Sequence, residues 1–254
     1  DYDGKTTYHS SDVVGNSIID IVSGSFAEVQ YRIDITPVNG VLNLPNKKYT
    51  ANENDTTLVV NKNITINGQG ATLDADNKFR IMNITNGVSV TLKNINFINA
   101  KAEGDNGGAI FSNGSSVTVT NSTFINTTGY MGGAIYSNGN VTVINSTFKD
   151  NKAGYSCGAI RGEGSSINVI HSNFENIEAP FTSSIGGNCE VNMINSTLKD
   201  AKTTYMMGAV WGTGINIIGS TFINTTSLNE GAIYNGNSNS NVTVINSTFI
   251  NTTG

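Results

Sequence analysis

The chain is predicted to fold as a right-handed parallel β-helix, an all-β solenoid of about 25 residues per coil with an N-terminal cap containing a short helix. Two observations carry this. A pair of short sequence landmarks recurs in register through residues 94–249, and the segments between them alternate apolar and polar residues with a period of two.

The first landmark is a step of small residues closed by an aliphatic one. It reads Gly108-Ala109-Ile110, Gly133-Ala134-Ile135, Gly158-Ala159-Ile160, Ser183-Ser184-Ile185, Gly208-Ala209-Val210 and Gly231-Ala232-Ile233. The alanine-column positions advance by 25 residues four times and then by 23. The second landmark is Asn121-Ser122-Thr123-Phe124, repeated at Asn145, His171, Asn195, Gly219 and Asn246, and opening earlier as Asn94-Ile95-Asn96-Phe97. Between landmarks, Val117-Thr118-Val119 and its equivalents at 141, 167, 191, 215 and 242 read as strands with one buried face. A leucine-rich repeat has a similar period, but leucine is scarce and no repeat looks helical. Gly and Asn between the strands supply the left-handed backbone that corners require.

One such unit cannot bury its own apolar face; stacked units bury a continuous core. Stacking at about 4.8 Å places equivalent residues in columns. Ile110, Ile135, Ile160, Ile185, Val210 and Ile233 form an aliphatic column, and Phe97, Phe124, Phe148, Phe174, Leu198, Phe222 and Phe249 an aromatic one. Two residues beyond the latter come Asn99, Asn126, Asp150, Asn176, Asp200, Asn224 and Asn251, expected to hydrogen-bond coil to coil as an amide ladder. The column of Asn121, Asn145 and Asn195 is read as a second, inward ladder, with His171 as a substitution in it and not a catalytic base. Seven or eight coils are expected.

Residues 1–50 interrupt the repeat and are assigned to the cap and entry strands, and residues 51–254 to the β-helix. Phe26, Val29 and Ile33 lie at helical spacing behind Ser25 as N-cap, with Pro37 beyond, so a short helix covering the first coil is predicted. The chain ends on a full repeat at Gly254. It is therefore expected to continue in a longer protein, and the uncapped C-terminal edge is expected to be open to self-association.

Composition excludes several functions. Asn, Thr, Ser and Gly make up 119 of 254 residues, and charged residues only 13%, half the usual share. With 14 Lys+Arg against 19 Asp+Glu there is no basic footprint for nucleic acid. No apolar run is long enough to span a membrane, so no membrane insertion is expected; the chain opens at Asp1 without a charged and then apolar leader, so any signal peptide is expected to have been removed already. Cys157 and Cys189 are too few for a disulfide framework or a zinc site and are read as small buried hydrophobes; a single bridge stays open. No metal or cofactor is expected.

The chemistry points to binding. With only His9 and His171, no Ser-His-Asp triad is available. Asp150 and Asp200 lie two coils apart, about 9.6 Å, at the limit for paired glycosidase carboxylates. Arg161 with Glu163, near Glu190, is read as a surface ion pair. The position after the aliphatic column reads Phe111, Tyr136, Arg161, Gly186, Trp211 and Tyr234, and alternation turns it away from the buried face. Tyr130, Tyr155 and Tyr205 stand five residues before the aliphatic column. Tyr130, Tyr136, Tyr155, Arg161, Tyr205, Trp211 and Tyr234 are the candidate ligand-binding residues, an exposed aromatic stripe suited to sugar rings or a protein partner. Sequons are numerous because the repeat contains Asn-Ser-Thr. Asn54, Asn113, Asn140 and Asn241, at turns, are the candidate glycan acceptors, whereas those in inward ladders are not.

The paired landmarks, with the opening stretches at Val41-Leu42-Asn43-Leu44, Val60 to Gly68 and Leu92 to Asn99, resemble the repeats of bacterial polymorphic outer-membrane proteins. The Asn/Thr-rich character is closer to the adhesin-like surface proteins of methanogenic archaea. The resemblance covers residues 40–254 and implies a secreted, cell-surface adhesin segment, non-catalytic, whose partner is a cell-surface polysaccharide or protein of another cell. It also implies an anchor elsewhere in a longer protein. The alternatives are a polysaccharide lyase or glycoside hydrolase on the same scaffold, and a rigid structural stalk.

Overall fold

The computed structural model describes residues 5–8, 19–85 and 87–254. Lys5–Tyr8 and Ile19–Val22 form a small antiparallel pair. Residues 40–254 then wind into a parallel β-solenoid of about nine turns. The additional turns relative to the expected seven or eight come from the entry segment. Gly40–Asn43 and Lys48–Thr50 pair in register with Ile64–Asp74 and so form part of the first coil.

Three in-register columns define the interior. The first runs from Ile64 through Val90, Val117, Val141, Ile167, Val191 and Ile215 to Val242. The second runs from Tyr49 and Leu73 through Phe97, Phe124, Phe148, Phe174, Leu198 and Phe222 to Phe249. The third runs from Leu58 and Met82 through Ile110, Ile135, Ile160, Ile185 and Val210 to Ile233. The expected aliphatic and aromatic columns and the expected buried strand face all exist, and all three reach further toward the N-terminus than the repeat landmarks do, to Leu58, Tyr49 and Ile64. Up to Ile215, Phe222 and Val210 these residues join one continuous apolar core, with Ile233 partly buried against it; Val242 and Phe249, in the last coil, are exposed.

Left-handed backbone turns the corners. Asn94, Asn121, Asn145, His171, Asn195, Gly219 and Asn246 have φ between 47° and 58°, and the Asn99-to-Asn251 column has φ between 49° and 55°. Asn and Asp tolerate this region better than other side chains because their short polar groups bond locally. The Asn99 column is a partial amide ladder. Each asparagine donates to the coil before it: Asn99 to Asp74, Asn126 to Asn99, Asn176 to Asp150, Asn224 to Asp200 and Asn251 to Asn224, at 2.6–3.2 Å. An ionised aspartate has no donor, so the run restarts at Asp150 and again at Asp200.

The Asn121 column corrects the expectation of an inward ladder. Asn121, Asn145, His171, Asn195 and Asn246 are exposed. The inward residue is the serine that follows. The backbone N–H groups of Ile95, Ser122, Ser146, Ser172, Ser196 and Ser220 donate to the hydroxyls of Ser122, Ser146, Ser172, Ser196, Ser220 and Ser247 at 3.0–3.2 Å. Those hydroxyls donate in turn to carbonyls two residues back. A serine ladder thus satisfies a backbone donor at six successive coils, and the exposed asparagine sets only the left-handed turn.

The helix over Phe26–Ile35 (α1) covers the first coil as predicted. The Ser25 Oγ accepts from the Glu28 N–H at 3.2 Å, and Asp55 of the first coil accepts from Phe26 and Ala27 at 3.2 and 2.9 Å. Phe26, Val29 and Ile33 are fully buried beneath it. Among the described residues, no helix is long and apolar enough to cross a membrane.

Candidate functional site

Between the second and third columns each coil makes a loop, and four consecutive coils place a ring there. Tyr130 stacks on Tyr155 with centroids 5.5 Å apart, Tyr155 on Phe181 at 4.6 Å, and Phe181 on Tyr205 at 5.8 Å. Backbone bonds fix the register: Tyr130 N–H donates to Asp105, Phe181 N–H to Tyr155, and Tyr205 N–H to Pro180. Tyr130, Tyr155 and Tyr205 are 44%, 41% and 60% exposed, so they form the most accessible ring column on the solenoid. Met206, next to Tyr205 in the chain, and Leu228 are also exposed.

Phe181 was not among the expected residues. It stands four residues before Ile185, whereas the tyrosines stand five before their aliphatic partners, and Pro180 occupies the expected place. The gap in the tyrosine pattern at this coil was the signal that could have found it.

The second predicted column behaves differently. Tyr136 is 8% exposed and Arg161 6%, and Phe111, Trp211 and Tyr234 are half-buried, so this column is not an exposed stripe. Its members cover one another. Tyr136 stacks on Phe111 at 5.4 Å, capped by the Arg80 guanidinium 5.1 Å above the Phe111 ring. Gly186 leaves a space between Arg161 and Trp211, and Arg161 leans across it to sit 4.5 Å from the Trp211 ring centre. A Cβ at Gly186 would come within 2.2 Å of the Trp211 carbonyl oxygen, so glycine is required there.

Arg161 is not a surface ion-pair member. Its Nε donates to Glu163 Oε1 at 2.7 Å, its Nη2 bonds the same oxygen, and its Nη1 donates to the buried Ser156 at 3.3 Å. Asn188 donates to the other Glu163 oxygen at 2.9 Å. Glu190 stands apart from this cluster and accepts from Asn216. Burial, and secondarily Glu163, pushes the Tyr136 phenol above its ordinary value. Burial likewise raises the Cys157 thiol and pushes Cys189 up to about 12. Both cysteines are free and buried, and as neutral thiols they are poor nucleophiles.

Beside the ring ridge runs a groove of about 200 Å³ lined by Lys152, Ala153, Glu178, Ala179, Pro180, Lys202 and Thr204. Its charged row is in register across three coils, Lys152 opposite Glu178 opposite Lys202. A second row, Lys149, Glu175 and Lys199, parallels it. Asn54, Asn113, Asn140 and Asn241 are exposed, but so are Asn121, Asn145, Asn195 and Asn246, contrary to the inward placement expected of them. Among the described residues, no three His, Cys, Asp or Glu side chains gather as a metal site.

No protein-family model, no curated protein and no solved structure matches this chain.

Proposed function

We propose that this chain is a non-catalytic segment of a cell-surface adhesin that acts outside the cell. It binds a polysaccharide or protein of another cell through the ridge Tyr130, Tyr155, Phe181 and Tyr205. The observation that carries this reading is the ridge itself: three exposed tyrosines and a half-buried phenylalanine, in ring contact over four successive coils. Exposed aromatic side chains on a rigid frame bind at low entropic cost. The resemblance of the repeats to adhesin-like surface proteins supports the same reading.

A stalk without ligand is the second reading, favoured by one feature. Each ring covers part of its neighbour's face, so the ladder also protects the loops beneath it. The two readings separate in one titration. The chain is mixed with a panel of cell-wall polysaccharides, glycans and surface-protein extracts while Trp211 fluorescence and heat of binding are followed. Saturable binding that is lost in both Tyr155→Ala and Tyr205→Ala is the expected result. No binding to any member of the panel would sink the adhesin reading in favour of the stalk.

A further inference from the structure

We infer that the groove beside the ring ridge is a subsite for an acidic polysaccharide that carries a carboxylate on every second sugar and lies along the solenoid axis. The inference rests on the adhesin reading and names its ligand.

Three features of the groove converge. First, it shares coils with the ring ladder: Pro180 and Thr204, in its wall, immediately precede Phe181 and Tyr205. Second, its floor is low, because Ala153 and Ala179 occupy the positions where a larger side chain would fill it. Third, its charge is unbalanced. Lys152 pairs with Glu178 at 2.9 Å, while Lys202 has no carboxylate within ion-pair reach among the described residues. A surplus ammonium thus stands in the groove of a chain whose net charge is -5.

The periodicity of the charges selects the ligand. Along the axis the row reads cation, anion, cation, one per coil, and the neighbouring row Lys149, Glu175, Lys199 repeats it with pairs of 3.3 and 3.7 Å. Successive cations are therefore two coils apart, about 9.6 Å, the reach of an extended disaccharide. A polymer with a negative charge on every unit would set one of them against Glu178 and Glu175. A polymer with an acidic and a neutral sugar in alternation sets its carboxylates at the lysines and a neutral sugar's hydroxyls at the glutamates, which accept from them. The ring ridge matches this ligand. Its three tyrosines are exposed, and their phenolic hydroxyls can donate to and accept from sugar hydroxyls along the neutral face of the chain.

The test uses hyaluronan as the alternating polymer, polygalacturonate as the uniformly charged one and dextran as the neutral one, by calorimetric titration at two salt concentrations. Hyaluronan is expected to bind tightest, and more weakly at the higher salt. Lys202→Met is expected to weaken hyaluronan by at least about threefold and to leave dextran unchanged; Lys202→Arg restores the affinity, and Glu178→Gln strengthens polygalacturonate. The inference is overturned if Lys202→Met leaves hyaluronan affinity intact, or if polygalacturonate binds the unmodified chain as well as hyaluronan does. Binding of some other glycan that depends on Tyr205 but not on Lys202 would overturn the groove while leaving the adhesin reading standing. No binding to any glycan or protein would overturn both.

Discussion

Two columns of rings climb the same solenoid, one inside and one outside. The inner column stacks Phe97, Phe124, Phe148 and Phe174 at 4.6–4.7 Å with planes tilted by no more than 8°. The outer column stacks Tyr130, Tyr155, Phe181 and Tyr205 at 4.6–5.8 Å with tilts of 21° to 43°. The coil spacing brings rings together in both. What differs is confinement: the inner rings are 0–1% exposed and held on all sides, and the outer tyrosines are 41–60% exposed. Stacking is thus a product of the repeat, whereas order within the stack is a product of burial. The inner rings contribute stability, and the outer rings keep an unsatisfied surface.

The strongest way to test that division is Phe148→Ala. Phe148 touches Phe124 below and Phe174 above and has no exposure. Its loss leaves a cavity in a solenoid where each coil is stabilised by its neighbours, at a cost of about 3–5 kcal/mol. Urea unfolding would read this as a large fall in midpoint; a change under about 1 kcal/mol would mean that the inner stack is not what holds the coils.

The next effect belongs to the serine ladder that flanks the inner column. Ser146→Ala removes the acceptor of the buried Ser122 N–H and the donor to the Ile144 carbonyl. Leaving those groups unpaired costs about 1–3 kcal/mol. Asn145→Ala, one residue earlier and exposed, loses only a residue suited to the left-handed turn. The expected order, Ser146→Ala more costly than Asn145→Ala in the same unfolding assay, reverses if the asparagine column is the ladder after all.

These two columns also show what the sequence could and could not reveal. The period of 25 and the aliphatic and phenylalanine columns were plain because a buried position admits few residue types, so each coil repeats the same one. The serine ladder was hidden inside the same Asn-Ser-Thr landmark. Asparagine is the more conspicuous residue there, but it is the serine hydroxyl that meets a buried N–H. The Phe111-to-Tyr234 column misled for the opposite reason. Its variability resembled an exposed face, yet it arises because Gly186 makes room for Arg161 to reach Trp211, a fit between unlike side chains that no period encodes. The groove depends on register between coils of unequal loop length, which the landmarks alone do not set.

Acid separates the ladders from the cap. The carboxyls of Glu28, Asp74 and Asp105 are held below their ordinary values. In Glu28, burial acts upward but is outweighed by the Gly24 N–H, Lys47 and Arg32. In Asp74, burial is outweighed by Lys48, the Asp76 N–H and Asn99. In Asp105, the bond from Arg80 is the largest influence. A carboxyl depressed in the folded state contributes stability that is present above its unfolded value, 4.5 for Glu28 and 3.8 for Asp74, and is lost as pH falls through the folded one. All three lie in α1 and the first three coils, before the outer ladder begins at Tyr130. Below about pH 4.5, hydrogen exchange should therefore quicken over Phe26–Ile35 before it does over the coils of Phe148 and Phe174. Simultaneous loss of protection would show that the cap and the ladders unfold as one unit.

The smallest effect on stability is expected where the effect on binding is largest. Tyr155→Ala removes two ring contacts from a surface already open to water, at a cost of about 0.5–1.5 kcal/mol. It leaves the inner stack untouched, so the fall in urea midpoint should be well under that of Phe148→Ala. If the outer column exists only to shield its loops, Tyr155→Ala should instead destabilise the fifth coil and quicken exchange at Lys152–Ser156 without altering any titration. If it exists to bind, affinity falls while exchange at those residues stays near that of the unmodified chain. On the binding reading the outer column differs from the inner one in a measurable way: the same substitution, ring to methyl, moves stability in the inner column and affinity in the outer one.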